Sequence, residues 1–449
     1  MSELFDPVLA AGPVRDAVGD RAWVRALLDV EAALAGALAD AGGVDRAHAE
    51  RIERVCRALD VDPARLGAAA AGAGNPVPPL VRELTDRVGG DAARVVHLGA
   101  TSQDMLDTAT MLLAVRARRV LLDDLAAAAD RLAELARAHA DTVQPGRTLG
   151  QQALPVTFGL TAAGWLSGVD TGAERLVRWR PAAQLGGATG TLASLGDRGP
   201  AVLAAFARRL GLADPGLPWH TERSRIAELA GALGQLCGTV AGISHTVVLL
   251  AQTEVGEVRE EGPAGSGGSS AMPHKRNPVA AVAARAAARQ APGLVATLLG
   301  AMDQEYQRAA GAWHAEWRPL TELWRAAGSA THWLRTSLDR LVVDPDRMRA
   351  NLDRTGGAAL SERVATELAA TTGRLAAHDA VRAVVRAATE GEGELADLLA
   401  ADPLVGAHLD RRRIDQLLDP AGYLGSAGEL VRTALRAHEA CTAYRRREE

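Results

Sequence analysis

Two adjacent hydroxyls, Ser269 and Ser270, precede Lys275, Arg276 and Asn277 in the stretch GSGGSSAMPHKRNP at 265–278. Backbone N–H groups of a Gly/Ser turn, together with a lysine, can bind a carboxylate or meet a developing oxyanion. A serine in such a positive field can carry a lowered pKa and move a proton. A solvated linker has the same composition, so these residues alone leave both readings open. The stretch is not a phosphate-binding GxxxxGK[ST] loop, and it is not a GxGxxG turn following a strand.

A second group is Thr101-Ser102-Gln103-Asp104. Its T-x-x-[DE] form is that of a capping box, which places hydroxyls at a helix N-terminus. Free N–H groups and the helix dipole favour an anion there. Plain helix capping explains the same residues.

Long helices must carry these groups. The chain is rich in Ala, Leu, Arg and Glu and poor in β-branched runs bounded by turns, which favours helix. Apolar residues recur at Ile226, Leu229, Leu233, Leu236, Val240, Ile243, Val247 and Leu250. Steps alternating three and four residues make a bundle seam. A helix over 226–257 would be on the order of 45 Å long and would need several long partners. Further long helices are expected over 104–139, 157–179, 279–302 and 320–340. Gly and Pro punctuation falls at 71–79, 144–146, 185–200, 214–218 and 262–278. The expected organisation is an N-terminal helical region over 1–100, a central long-helix bundle over 101–343 carrying the loop at 262–278, and a C-terminal helical region over 344–449.

Bulk properties narrow the function. The net charge of -5 and 3% aromatic content argue against nucleic-acid binding, which calls for a basic stripe and stacking platforms. The first residues lack a basic-then-apolar signal region, and no run of 18 uncharged apolar residues occurs. A cytoplasmic chain without a membrane span is the expectation. Cys56, Cys237 and Cys441 are odd in number and far apart, and they read as core residues. Zinc spacing and HExxH are absent. Neither metal nor cofactor is expected, since the loop, helix ends and cations supply the electrostatics.

The segment GSSAMPHKRNP resembles the G-S-S-x-M-P-x-K-x-N-P signature of the fumarase/aspartase superfamily. HLGATSQDMLDTA at 97–109 is similar to that family's Thr-Ser substrate segment. GRTLGQQALPVTFGLTAAGW at 146–165 resembles its remaining active-site segment. The three blocks follow the family's order, and the resemblance spans essentially the whole chain. It implies an all-α, three-domain fold with a central bundle of long helices. It also implies a homotetramer in which three subunits contribute to each active site. The wording of GNPVPPLV, QLGGATGTLASLG, QRAAGAWHAEW and GYLGSAG is similar to the carboxymuconate cycloisomerase branch. Enzymes of that branch close 3-carboxymuconate to a carboxymuconolactone in protocatechuate breakdown. A small tricarboxylate substrate is therefore implied.

The resemblance assigns proton transfer to Ser269 and stabilisation of the carboxylate to Lys275 and Asn277. Ser270 and Met272 shape the loop, with Ser270 bordering substrate. Thr101 and Ser102 are expected to bind a substrate carboxylate, with Gln103 in the same pocket. Gln151, rather than Gln152, is expected to reach the site from the third block. His274 sits at a variable position of the motif. His314, Arg318 and Asn75 are further candidate contacts, for which helix-surface or turn roles are the plainer reading.

One departure bears on the chemistry. Amine-expelling lyases of the superfamily often carry Thr-His in the third block, where this chain has Thr148-Leu149. An amine must be protonated to leave. A carboxylate, with a conjugate-acid pKa near 4, need not be. The missing histidine fits a lactone and counts against adenylosuccinate-type C–N cleavage, the alternative reading. A non-catalytic helical oligomer on the same scaffold is a third possibility, against which the intact Ser269, Lys275 and Asn277 argue.

Overall fold

The computed structural model describes residues 3–263, 267, 268, 272 and 274–448. Helices dominate, and the strands among the described residues are three to seven residues long. The all-α expectation holds. By contact the chain divides into two compact units. One comprises Met1–Leu125, Gly172–Ala241 and Ala283–Trp333; the other comprises Ala126–Thr171, Gly242–Val282 and Leu334–Glu449. The three stretches expected from the sequence are a division along the chain, whereas these units are a division by contact.

The apolar seam forms as its spacing predicts. The helix Ser224–Leu250 buries all eight seam residues from Ile226 to Leu250. Each such side chain removed from water contributes roughly 1.5–3 kcal/mol before entropy is counted. This helix has the length and composition of a membrane span, but here the seam faces protein. The other long helices run over Ser102–Ala138, Phe158–Arg178 and Ala312–Asp339. The last contains Pro319. The single helix expected over 279–302 is two, Val279–Ala288 and Ala291–Gly300. Pro292 lacks the N–H that would continue the first helix, and its ring would strike the carbonyl one turn back.

The two strand pairs had no signal strong enough to read. Val143–Thr148 pairs antiparallel with Gln151–Thr157, and Val258–Glu260 pairs with Leu341–Val343. The first hairpin turns through Leu149 at φ 52° and Gly150 at φ 80°. Two positive φ angles define the favoured two-residue hairpin turn, for which Asn-Gly is the usual signature. Leucine in the first position hid it.

Candidate active site

In the first unit the site is built at the N-terminus of the Ser102–Ala138 helix. Asp104 is fully buried. Its Oδ2 accepts from the Thr101 N–H (3.0 Å) and the Gly187 N–H (2.9 Å). Its Oδ1 accepts from the Gly186 N–H (2.9 Å) and from His220 Nε2 (2.7 Å). Half of the expected capping box is thus present, with the acidic side chain reaching back to Thr101. The Thr101 hydroxyl instead accepts from the Arg308 guanidinium. One turn on, Asp107 forms a bidentate pair with the buried Arg223 (2.8 and 3.0 Å) and accepts from the Trp313 indole N–H (3.1 Å). Arg223 also donates to Glu316 (3.0 and 2.6 Å). Burial works against the guanidinium charge, but Asp107 and Glu316 more than offset it and hold Arg223 above its ordinary pKa.

Of the residues expected here, Thr101 and Ser102 are half-buried at the helix start. Ser102 lines a cavity of about 470 Å³ with His97, Val77 and Arg82. Gln103 is otherwise placed. It is buried, and its amide nitrogen donates to Asp107 (3.1 Å) and to the His220 carbonyl (2.7 Å). Its position in the helix turns it into the scaffold, away from the pocket for which it was proposed. Asn75 shapes a turn, its side chain accepting from the Val77 N–H (3.0 Å). His314 is exposed and lies against the Trp313 and Trp317 rings. Arg318 lines a separate cavity with Trp23 and Trp317.

Two residues of this region were passed over in the sequence. Arg308, in QRAAGAWHAEW, meets Thr101, and its Nη1 is buried without a hydrogen-bond partner among the described residues. His97 holds a positive φ of 58° and places Nδ1 2.7 Å from Glu31 Oε1. Burial disfavours its charge, but the charge and hydrogen bond of Glu31, with the charge of Asp104, raise its pKa above the usual value. A non-glycine residue in that conformation at a cavity wall is a signal of function. Sequence alone does not reveal it.

In the second unit the hairpin rests on a buried carboxylate, and a half-buried one caps the helix that follows the loop. Glu257 is fully buried and takes a bidentate pair from Arg147 of the first hairpin strand. It also accepts from Asn351 Nδ2 (2.8 Å). Gln152 donates to the Asn351 carbonyl (2.9 Å). Gln152, paired with Arg147 one rung below the turn, is thus tied down to Asn351, while Gln151 and Leu149 stand exposed at the tip.

Ser269 and Ser270 lie outside the described residues. Around them, Gly268 and Arg276 form an antiparallel bridge. The Gly267 carbonyl accepts from the Asn277 backbone N–H (2.9 Å) and from Asn277 Nδ2 (3.0 Å). Asn277, expected on the substrate carboxylate, thus closes the loop with its amide nitrogen. Gly267 sits at φ 72°, and a Cβ there would lie 2.5 Å from the Asn277 carbonyl oxygen, so only glycine fits. Glu260 caps the following helix through the Ala280 and Ala281 N–H groups (3.0 and 2.9 Å). Met272, His274 and Lys275 are exposed. Among the described residues no group of three His, Cys, Asp or Glu is placed to hold a metal ion. Burial pushes the Cys56 and Cys237 thiols up to about 12, which suits core residues.

Residues 9–293 match the lyase family, and residues 357–434 match the adenylosuccinate lyase C-terminal family. The chain belongs to the lyase family, in its fumarase/aspartase-type superfamily. It is 46% identical to 3-carboxy-cis,cis-muconate cycloisomerase of Pseudomonas aeruginosa over 445 residues, 98% of this chain and 97% of that one. It is 43% identical to nitrosuccinate lyase of Streptomyces davaonensis, across 99% of this chain and 96% of that one. The crystal structure of 3-carboxy-cis,cis-muconate lactonizing enzyme from Pseudomonas putida shares the fold with a TM-score of 0.93. That enzyme is 41% identical, and the match covers 98% of this chain and 100% of that one.

Proposed function

We propose that this chain is an intramolecular lyase that interconverts 3-carboxy-cis,cis-muconate and a carboxymuconolactone. The observation that carries the reading is full-length identity above 40% to cycloisomerases of that name. In the lactonising direction a substrate carboxylate oxygen bonds to one carbon of a C=C double bond. The π pair moves to the neighbouring carbon and into its carboxylate, giving a dianionic aci-carboxylate. A proton then reaches that carbon.

In this reading Ser269 delivers the proton and Lys275 meets the aci-carboxylate charge, with Ser270 bordering the substrate. These assignments rest on the signature motif. Thr101 and Ser102 receive a second substrate carboxylate at the helix N-terminus, where Arg308 adds positive charge. Asn277 keeps the loop closed at its base with one N–H of its amide, which leaves the second N–H and the amide oxygen for substrate. Gln151 and Leu149 approach the substrate from the hairpin tip. The exposed tip suits a homotetramer in which one subunit's hairpin completes another's site, in a cytoplasmic setting.

Nitrosuccinate cleavage is the second reading, favoured by the 43% identity to that lyase. The test is to follow diene absorbance with 3-carboxy-cis,cis-muconate, running nitrosuccinate and adenylosuccinate in parallel. Rapid diene loss with neither succinate consumed is expected. Turnover of nitrosuccinate without diene loss would overturn the proposal in favour of the second reading. Light scattering of an active monomer would refute the tetramer.

A further inference from the structure

We infer that His220 and Asp104 are a positioning pair that sets the carboxylate receptor formed by Thr101 and Ser102. The inference rests on the proposed role of those two hydroxyl residues. Asp104 takes its four donors from three separate segments of chain: Thr101, the Gly186-Gly187 turn, and His220. One buried carboxylate therefore fixes the entry angle of the chain into Ser102 against two loops. An ionised carboxylate only accepts hydrogen bonds, so the His220 proton must sit on Nε2.

His220 grips the helix start twice. Its ring holds Asp104, and its carbonyl holds the Gln103 amide. The chain is built to let the ring in. A Cβ on Gly186 would lie 2.7 Å from His220 Cε1 and 2.8 Å from Pro218 Cβ, so a side chain there would expel the imidazole.

The geometry also separates positioning from folding. Without the His220 ring, the same two loops remain fastened by other bonds. The Trp219 N–H donates to Gln184 Oε1 (2.9 Å) and its indole N–H to the Ala183 carbonyl (2.8 Å). Thr108 Oγ1 donates to the Gln184 carbonyl (3.0 Å) and lies 2.9 Å from the Gln184 N–H. Removing the ring should therefore loosen the Thr101–Ser102 turn while leaving the unit folded. A second consequence is electrostatic. Asp104 is a negative charge beside an anion receptor, and its four donors draw that charge into the scaffold. With one donor lost, more of it faces the incoming carboxylate.

The test compares His220→Leu with His220→Gln in the full chain. The glutamine amide can place an N–H donor near the imidazole Nε2 position; leucine cannot. Two readouts are taken: KM for 3-carboxy-cis,cis-muconate, and calorimetric affinity for citrate, a tricarboxylate that undergoes no lactonisation. Circular dichroism and mass in solution serve as controls on folding. The expected result is KM raised and citrate affinity lowered by roughly tenfold to a hundredfold in His220→Leu, with His220→Gln within about threefold of the parent. Leucine matching the parent on both ligands, or glutamine as impaired as leucine with the fold intact, would overturn the pair. A parent that turns over no muconate but shows this citrate pattern would sink the proposed reaction and keep the pair. A parent that binds neither ligand would overturn the receptor and the pair together.

Discussion

The start of the Ser102–Ala138 helix and the tip of the 143–157 hairpin solve opposite problems. At the helix start, charged groups are buried and matched: Asp104 with His220 and two glycine N–H groups, Asp107 with Arg223 and Glu316. At the hairpin tip, Leu149 and Gln151 stand in solvent, and the matched charges lie lower down at Arg147, Glu257 and Asn351. The signature loop follows the second pattern, with Lys275 exposed above a base closed by Asn277 and Glu260. One region buries its charges against fixed partners. The other presents exposed side chains above a foot of paired charges.

If that contrast is right, activity and stability should respond separately. Among the described residues, the largest effect is expected from the exposed side. Lys275→Ala should lower kcat/KM by about 10²–10³, the scale of one lost oxyanion-stabilising group, with Tm unchanged. A large fall in Tm would mean that Lys275 belongs to the scaffold. Next comes the buried side. Arg223→Leu leaves Asp107 and Glu316 without their shared cation and should destabilise the chain by about 3–5 kcal/mol in denaturant unfolding. A loss under about 1 kcal/mol would show that the cluster is not what holds the helix start.

Leu149 is the sharpest point of comparison. A leucine at φ 52°, fully exposed, is unfavourable by roughly 1–2 kcal/mol relative to a residue that accepts that conformation. Leu149→Asn should therefore raise stability slightly while lowering turnover. Higher stability with unchanged turnover would remove Leu149 from the site. The same position bears on the missing acid. Leu149→His should change lactonisation no more than Leu149→Asn does, because a carboxylate leaves without protonation and gains nothing from an added acid.

The smallest effect is a pH dependence far along the chain. His438, buried on the C-terminal helix Ala427–Glu448, lies 3.0 Å from Asp170 and 3.3 Å from Asp130, with Arg445 3.5 Å from Asp170. The Asp170 hydrogen bond outweighs burial and raises its pKa, with Asp130 assisting. A raised pKa means that the charged form stabilises the fold. That contribution is complete below the unfolded value near 6.5 and is lost as pH rises through the higher folded value. Protection of residues 427–445 from hydrogen exchange, taken relative to the intrinsic rate at each pH, should therefore fall between mildly acidic and mildly alkaline pH, and His438→Gln should flatten that change. An unchanged pH profile in His438→Gln would refute the link.

The seam from Ile226 to Leu250 was legible because its three-four spacing needs no tertiary knowledge, and burial follows it residue by residue. The superfamily was legible in a loop whose residues have few other uses together. Gln103 was misread because a residue beside Ser102 looks like a pocket residue in a string, yet the helix turns it inward. Arg308 and His97 stayed hidden because each gains meaning from partners distant in sequence, Thr101 and Glu31. The hairpin was missed because leucine stands where asparagine is expected.

In the proposed reaction a loop serine, Ser269, moves the proton onto a substrate held elsewhere. The most direct test is diene absorbance of 3-carboxy-cis,cis-muconate with the parent protein and with Ser269→Ala side by side, each also titrated with citrate. Rapid loss of the diene is expected with the parent. The variant should be slower by roughly 10³ or more, within the usual range for a proton-transfer group, with citrate affinity unchanged. Equal rates in the two proteins, or no diene loss in the parent, would contradict it.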